Sequence, residues 1–213
     1  MTNYRCLILD LDGTVVNSHD YTFAAIRHAC APFGVRPDDA SIHAAFGPDE
    51  GVILRRLVGA NNVEVAYARL QHYYAEHVHA LEVQAEVRTL LHDCQVQGVR
   101  RGLFTGRGSD STRLILERLD LVACFDAIVA GDHAPPKPAA NGVLALLQRL
   151  RCAPREALLV GDSPLDLRAA SAAGTDARLA TWFMSDVTRS GVEAPTLSSP
   201  GELRALLGLP RPV

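Results

Sequence analysis

Three features of the sequence predict an α/β fold, a Rossmann-like parallel sheet core with helices on both faces and an inserted all-helical module. Short apolar runs that end at a polar residue recur along the chain. Each is followed by a longer segment with helical spacing, the alternation that builds a parallel sheet from crossover units. One interval between runs is eighty or more residues long. A single βαβ crossover does not need that length, so a second module is inserted there.

The elements follow in order. The first run is Cys6-Leu7-Ile8-Leu9, ending at Asp10. Residues 18–33 then have a helical pattern ending at Gly34, and Asp49 to Gly59 and Glu64 to Ala80 read as helices again, with no strong strand pattern among them. This gives a helical cap at 16–83 and a core domain at 1–15 and 84–213, with a core helix over 84–97. The second run, Gly102-Leu103-Phe104, ends at Thr105; the third, Ala127 to Ala130, ends at Gly131-Asp132; the fourth, Ala157 to Val160, ends at Gly161-Asp162. A weaker fifth surrounds Leu179. Thr112, Ile115, Leu116 and Leu119, and again Val143, Leu146, Leu147 and Leu150, fall at i, i+3, i+4, i+7 and mark crossover helices. Ser199-Pro200-Gly201-Glu202 offers a cap, a first-turn proline and a capping-box acid for a last helix over 200–207.

The 213 residues are 48% hydrophobic, enough for a sizeable core. A net charge of −3 lacks the basic field that non-specific nucleic-acid binding needs. No stretch has the length of a membrane span or a signal-peptide core. Five cysteines, an odd number and widely spaced, read as reduced thiols of a cytoplasmic protein. Among the 21 basic residues Lys137 is the lone lysine. Arginine richness of this kind by itself points to no partner.

In open α/β sheets ligands bind beyond the carboxyl ends of the strands, where strand order reverses. The polar terminators should therefore converge: Asp10 with Asp12, Thr105 with Gly106, Asp162 with Asp166, and Lys137 from a neighbouring loop. Carboxylates, a hydroxyl followed by a glycine amide, and an ammonium make a kit for holding Mg²⁺ and a phosphate. Asp10-Leu11-Asp12-Gly13-Thr14, Phe104-Thr105-Gly106-Arg107, Lys137-Pro138 and Gly161-Asp162-Ser163-Pro164-Leu165-Asp166 resemble, in order and spacing, the four motifs of the haloacid dehalogenase-like (HAD) superfamily. The resemblance covers the whole chain. The helical insertion is similar to that superfamily's C1 cap, and Val15-Val16-Asn17-Ser18 after the first motif resembles the phosphoglycolate phosphatase-like branch. Two departures stand out: Ala140 replaces the usual second proline after Lys137, and Gln84-Ala85-Glu86-Val87 replaces the usual glycine-proline hinge at the cap's exit.

The resemblance implies a Mg²⁺-dependent hydrolase of a small organic phosphate monoester, of phosphoglycolate or sugar phosphate type, working through an aspartyl phosphate as a monomer or homodimer. It implies Asp10 as nucleophile and Asp12 as general acid and then base, with Mg²⁺ keeping Asp10 ionised and Asp12 standing where a proton is tolerated. Thr105 and the Gly106 amide would hold the transferred phosphoryl group, and Lys137 would offset its charge. Asp162 would be the second direct metal ligand, the Asp12 carbonyl completing the set and Asp166 acting behind it. A phosphonoacetaldehyde hydrolase is excluded, because it needs a cap lysine and the cap has none. Dehalogenation is disfavoured because Asp12 supplies the proton donor those relatives lack. A β-phosphoglucomutase-like mutase and a silent binding module of the same fold are the alternatives.

Other candidates carry weaker signals. Thr14 reads either as a site contact or as a turn cap, and Ser18 reads as a helix N-cap. Arg107 lies close enough to the second motif to meet substrate, and Arg55 with Arg56 are the cap's candidates for substrate choice. His72, His77 and His79 read as a solvated helix face, with His72 and Glu76 paired at i, i+4. Trp182 reads as closing the edge of the core.

Overall fold

The computed structural model describes residues 4–184 and 194–210. Strand β1 (Cys6–Leu9) is the centre of a parallel six-stranded sheet with β4 (Arg100–Phe104), β5 (Ala127–Val129), β6 (Ala157–Gly161), β7 (Asp176–Ala180) and β8 (Thr196–Leu197), in the order β5-β4-β1-β6-β7-β8. Leu9 pairs with Leu103 on one side and Val160 on the other, so three strands end level with one another. From β1 the chain winds outward to β4 and β5, then returns to the opposite side of β1 for β6, which places the reversal of strand order at the carboxyl end of β1.

All four residues of β1 are buried, as a strand covered on both faces requires. Leu7 and Leu9 point into one apolar cluster and Cys6 and Ile8 into another, the alternation set by the pleat. Helices α7 (Asn141–Leu150) and α8 (Pro164–Ala173) cover the Cys6 and Ile8 face. Helices α5 (Ala85–Val96), α6 (Ser109–Arg118) and α9 (Pro200–Leu206) cover the other.

Between β1 and β4 lie α1 (His19–Cys30), α2 (Asp39–Ala45), α3 (Glu50–Val58) and α4 (Val63–His77). Helix α1 continues as a 3-10 turn to Phe33 and stops at Gly34, whose φ of 72° is the left-handed conformation that glycine supplies without strain. Phe23, Ile26, Leu54, Leu70 and Tyr74 from these helices join the same apolar cluster as Leu7 and Leu9.

Several elements escape the periodicity. Helix α2 buries only Ile42 and is set by its cap, the Ser41 N–H donating to Asp38 at 2.8 Å. Two-residue strands β2 (Val16–Asn17) and β3 (Glu82–Val83) pair antiparallel at the base of the insertion, too short to show alternation. Ser199 makes no capping bond; Glu202 reaches one residue further back, accepting from the Ser198 N–H at 3.0 Å and hydroxyl at 2.6 Å. The expectation of five reduced thiols is corrected. Cys6 and Cys152 are joined as a disulfide, because β1 brings its first residue beside the exit of α7, a proximity across 146 residues that cysteine spacing does not reveal. Cys30, Cys94 and Cys124 are free thiols. No helix among the described residues is long and apolar enough to cross a membrane.

Candidate active site

The strand ends build the core side of the site. The Asp10 N–H donates to the Val160 carbonyl at 2.9 Å and the Thr105 N–H to the Val129 carbonyl at 3.1 Å, so the ladder fixes both residues just past their strands. Lys137 Nζ donates to Asp10 Oδ1 at 2.6 Å, Asp166 Oδ1 at 2.6 Å and the Phe104 carbonyl at 3.0 Å, which commits all three of its protons. Asp166 is doubly used: its Oδ2 accepts from the Ser163 hydroxyl at 2.7 Å in the capping box that starts α8.

Two glycines allow the acids to close in. Gly13 has φ 70°, and a Cβ there would lie 2.0 Å from Asp162 Oδ2. A Cβ on Gly161 would lie 2.3 Å from Asp166 Cγ. One carboxylate oxygen from each of Asp10, Asp162 and Asp166 therefore falls within 4.8 Å of the others. Burial pushes the Asp10 carboxyl well above its ordinary range, and Lys137 only partly offsets this. Burial, with Asp166 alongside, lifts Asp162 to about 7. Burial works against the Lys137 charge, but Asp10 and Asp166 outweigh it and hold the ammonium above its usual value.

The side facing the insertion has a different construction. Arg107 is 5% exposed, and its fork grips Asp12, with Nη2 on Oδ1 at 2.6 Å and Nε on Oδ2 at 3.2 Å. The same guanidinium donates to Thr22 Oγ1 at 2.8 Å and Glu50 Oε1 at 3.3 Å, and its centre stands 4.7 Å above the Tyr74 ring. Glu50, the first residue of α3, also accepts from the Gly108 N–H at 2.6 Å. The Ser18 hydroxyl donates to Asp12 Oδ1 at 2.5 Å. Burial raises the Asp12 carboxyl, but Arg107 outweighs it and holds the group below its usual range. Among the protein's own groups, Arg107 thus favours the ionised form of Asp12 while burial favours the protonated form of Asp10.

The structure brings together Asp10, Asp12, Thr105, Gly106, Arg107, Lys137, Asp162 and Asp166. Thr105 is fully buried, and its Oγ1 accepts from the Arg107 N–H at 3.1 Å, which leaves its own proton to give. Gly106 lies under the insertion, the position of a Cβ there being 3.5 Å from the Gly47 carbonyl. Asp12 offers no carboxylate to the acidic cluster, since Arg107 and Ser18 occupy both oxygens.

Thr14 is wholly buried with its hydroxyl unpartnered, and its carbonyl accepts from Trp182 Nε1 at 2.9 Å. Arg55 is exposed and lines a groove of about 350 Å³ with Tyr67, Gly108 and Asp132. His72 pairs with Glu76 at 3.2 Å on an exposed face. Sequence reasoning missed Glu50, Thr22 and the bond of Ser18 to Asp12. An acid at the start of a helix reads as a complement to the dipole, and nothing in its spacing shows that it is 4% exposed.

The family model for haloacid dehalogenase-like hydrolases matches residues 7–180. The chain belongs to this family. It is 31% identical over 204 residues to phosphoglycolate phosphatase 1 of Pseudomonas aeruginosa, covering 91% of this chain and 75% of that protein. It is 28% identical to the phosphoglycolate phosphatase of Aquifex aeolicus, over 95% of this chain and 96% of that one. The fold superposes on CbbY from Rhodobacter sphaeroides, crystallised with phosphate, with a TM-score of 0.81 at 18% identity, covering 97% of this chain and 100% of that chain. Within the haloacid dehalogenase-like hydrolases the chain falls in the phosphoglycolate phosphatase-like branch and is a phosphatase.

Proposed function

We propose that this phosphatase hydrolyses a small organic phosphate monoester, of phosphoglycolate or sugar phosphate type, through a phosphoryl group carried briefly on Asp10, with Mg²⁺ as cofactor. The observation that carries the reading is the Lys137 ammonium clamped between Asp10 and Asp166, with Asp162 completing an acidic cluster at the carboxyl end of the central strand. The donor set fits Mg²⁺, a hard cation that takes oxygen ligands and uses few carboxylates. Asp162, raised to about 7 chiefly by burial and further by Asp166, stands with Asp10 and Asp166 in a cluster whose carboxylate oxygens a divalent ion would bridge and neutralise. Asp10, Asp162 and the Asp12 backbone carbonyl would hold it, with Asp166 behind them. When bound, it would supply charge neutralisation for the phosphate oxygens.

A carboxylate oxygen of Asp10 attacks phosphorus, and the bond from phosphorus to the ester oxygen breaks. As substrate enters, Asp12 exchanges the Arg107 contact that holds it ionised for a proton from solvent, gives that proton to the departing oxygen, then takes one from the water that attacks the phosphorylated Asp10 and releases inorganic phosphate. Lys137 keeps the nucleophile's oxygen aimed, while the Thr105 hydroxyl and Gly106 N–H steady the transferred group. Residues 16–83 act as the cap over a core of 1–15 and 84–213, with the β2 and β3 ribbon as its stem; closure would exclude bulk water.

The test is a panel of phosphorylated metabolites with released phosphate as the readout, run with Mg²⁺ and with chelator. Mg²⁺-dependent release from at least one small monoester is expected. Release from none, or release indifferent to chelation, overturns the reading.

A further inference from the structure

Glu50 joins the start of one helix to the start of another. It is the first residue of α3, and the Asp49 carboxylate fixes that helix's entry by accepting from the Gly51 N–H at 2.9 Å and the Val52 N–H at 3.2 Å. From there the Glu50 side chain crosses to the sheet domain, where both of its oxygens find donors: Oε1 takes Arg107 Nη1 at 3.3 Å and Oε2 takes the Gly108 N–H at 2.6 Å. Gly108 caps the amino end of α6 with φ −63°, an ordinary conformation open to any residue. What glycine supplies there is room, since a Cβ would lie 3.1 Å from Glu50 Oε2. Burial raises the Glu50 carboxyl, while Arg107 and the Gly108 N–H work in the other direction by calling for an acceptor.

This tie matters because of what Arg107 holds with its other nitrogens. Nε and Nη2 lie on Asp12, at 3.2 and 2.6 Å, and Nη1 is turned to Glu50. A guanidinium is a rigid plane, so fixing Nη1 on one side and stacking its centre 4.7 Å above the Tyr74 ring sets the direction of the remaining N–H bonds. Arg107 is 5% exposed and Glu50 4%. At that depth no water stands ready to replace a lost partner, and removing one member of the pair leaves the other buried alone. Glu50, Thr22 and Tyr74 all come from the inserted helices, and they keep the guanidinium in place when Asp12 exchanges it for a proton.

We infer that Glu50 is a positioning residue for the reaction: by holding Arg107 Nη1 and the Gly108 N–H together, it sets the guanidinium that aligns Asp12, and it makes the seating of α3 a condition for that alignment. Glu50 meets neither substrate nor the reacting atoms and acts through Arg107. This rests on the phosphatase reading above and adds to it the residue through which the insertion reaches the acid of the first motif.

The test is a double-mutant cycle of Glu50→Gln and Arg107→Gln, read as initial rates of phosphate release with Mg²⁺, with circular dichroism to follow folding. The substrates are the alkyl monoester of the panel that wild type hydrolyses fastest and p-nitrophenyl phosphate, whose leaving group departs without a proton. Glu50→Gln keeps one acceptor and turns an amide N–H₂ toward the other donor. Its kcat/KM for the alkyl ester should fall about tenfold, the cost of a displaced catalytic group. For the nitrophenyl ester, which does not call on an aligned acid, the loss should stay under about threefold. In the Arg107→Gln background the same substitution should cost less than about twofold more, because a residue acting through Arg107 has nothing left to act on. Gly108→Ala crowds Oε2 without straining the backbone and should show the same substrate pattern at smaller size. Unchanged alkyl-ester turnover in folded Glu50→Gln overturns the inference, as do equal losses on the two esters or losses that multiply in the double variant. Should Glu50→Gln not fold, Gly108→Ala takes its place in the cycle and is judged by the same outcomes; should wild type refuse the nitrophenyl ester, the cycle on the alkyl ester decides. Release from no alkyl ester by wild type instead removes the phosphatase reading itself, and the inference with it.

Discussion

Lys137 and Arg107 are both buried cations, each gripping two acids and each standing over an aromatic ring, Phe104 at 4.6 Å and Tyr74 at 4.7 Å. Their partners differ in origin. Asp10, Asp166 and the Phe104 carbonyl all belong to the sheet domain, so the Lys137 clamp is held by one rigid frame. Arg107 takes Asp12 from that frame but Glu50, Thr22 and Tyr74 from the inserted helices, and its full set of contacts exists only with the two parts together. On the proposed mechanism, the phosphoryl end is thus preorganised and the leaving-group end is assembled between the two parts.

The comparison breaks most severely at the nucleophile. Asp10→Asn should lower phosphate release roughly a thousandfold or more while circular dichroism stays unchanged, since the amide cannot attack phosphorus; normal turnover would remove the rigid end's chemical purpose. Lys137→Arg should cost about a hundredfold, because a planar fork cannot fill the point between Asp10 and Asp166 that a compact ammonium occupies. Near-normal kcat in that variant would show the clamp to be dispensable. Gly13→Ala puts a methyl 2.0 Å from Asp162 Oδ2 on a backbone with φ 70°. A loss of about tenfold to a hundredfold in kcat/KM, with weaker Mg²⁺ binding by calorimetry, is expected from a displacement of that kind.

The assembled end should respond more gently and in another quantity. Arg107→Gln removes the positive charge that holds Asp12 ionised below its usual range. Without it the protonated form is favoured and the Asp12 pKa rises, so the profile of kcat/KM against pH should move to higher pH. A profile that stays in place would show that the guanidinium does not set the proton affinity of Asp12.

The same division explains what the sequence disclosed. Asp10, Thr105 and Asp162 each follow an apolar run, and Lys137 sits in the loop after one; short-range pattern is enough to place them at strand ends. Glu50, Thr22 and Tyr74 sit on helices whose relation to the sheet is set by tertiary packing, and periodicity reports which face is apolar without saying what lies opposite. The disulfide between Cys6 and Cys152 was hidden for a related reason, since it depends on which strand and which helix end become neighbours. The ribbon of β2 and β3 was hidden simply by its two-residue length.

A single apolar cluster runs without interruption from Leu7 and Leu9 of the central strand to Leu54, Leu70 and Tyr74 of the insertion. If, as proposed, these helices part from the sheet to admit substrate, some of that hydrocarbon surface must become wet, and hydrating it raises the heat capacity of the opened form. Such a gating equilibrium would be thermally curved, and the enzyme's readiness to open would vary with temperature in a way that its fixed phosphate-binding machinery does not.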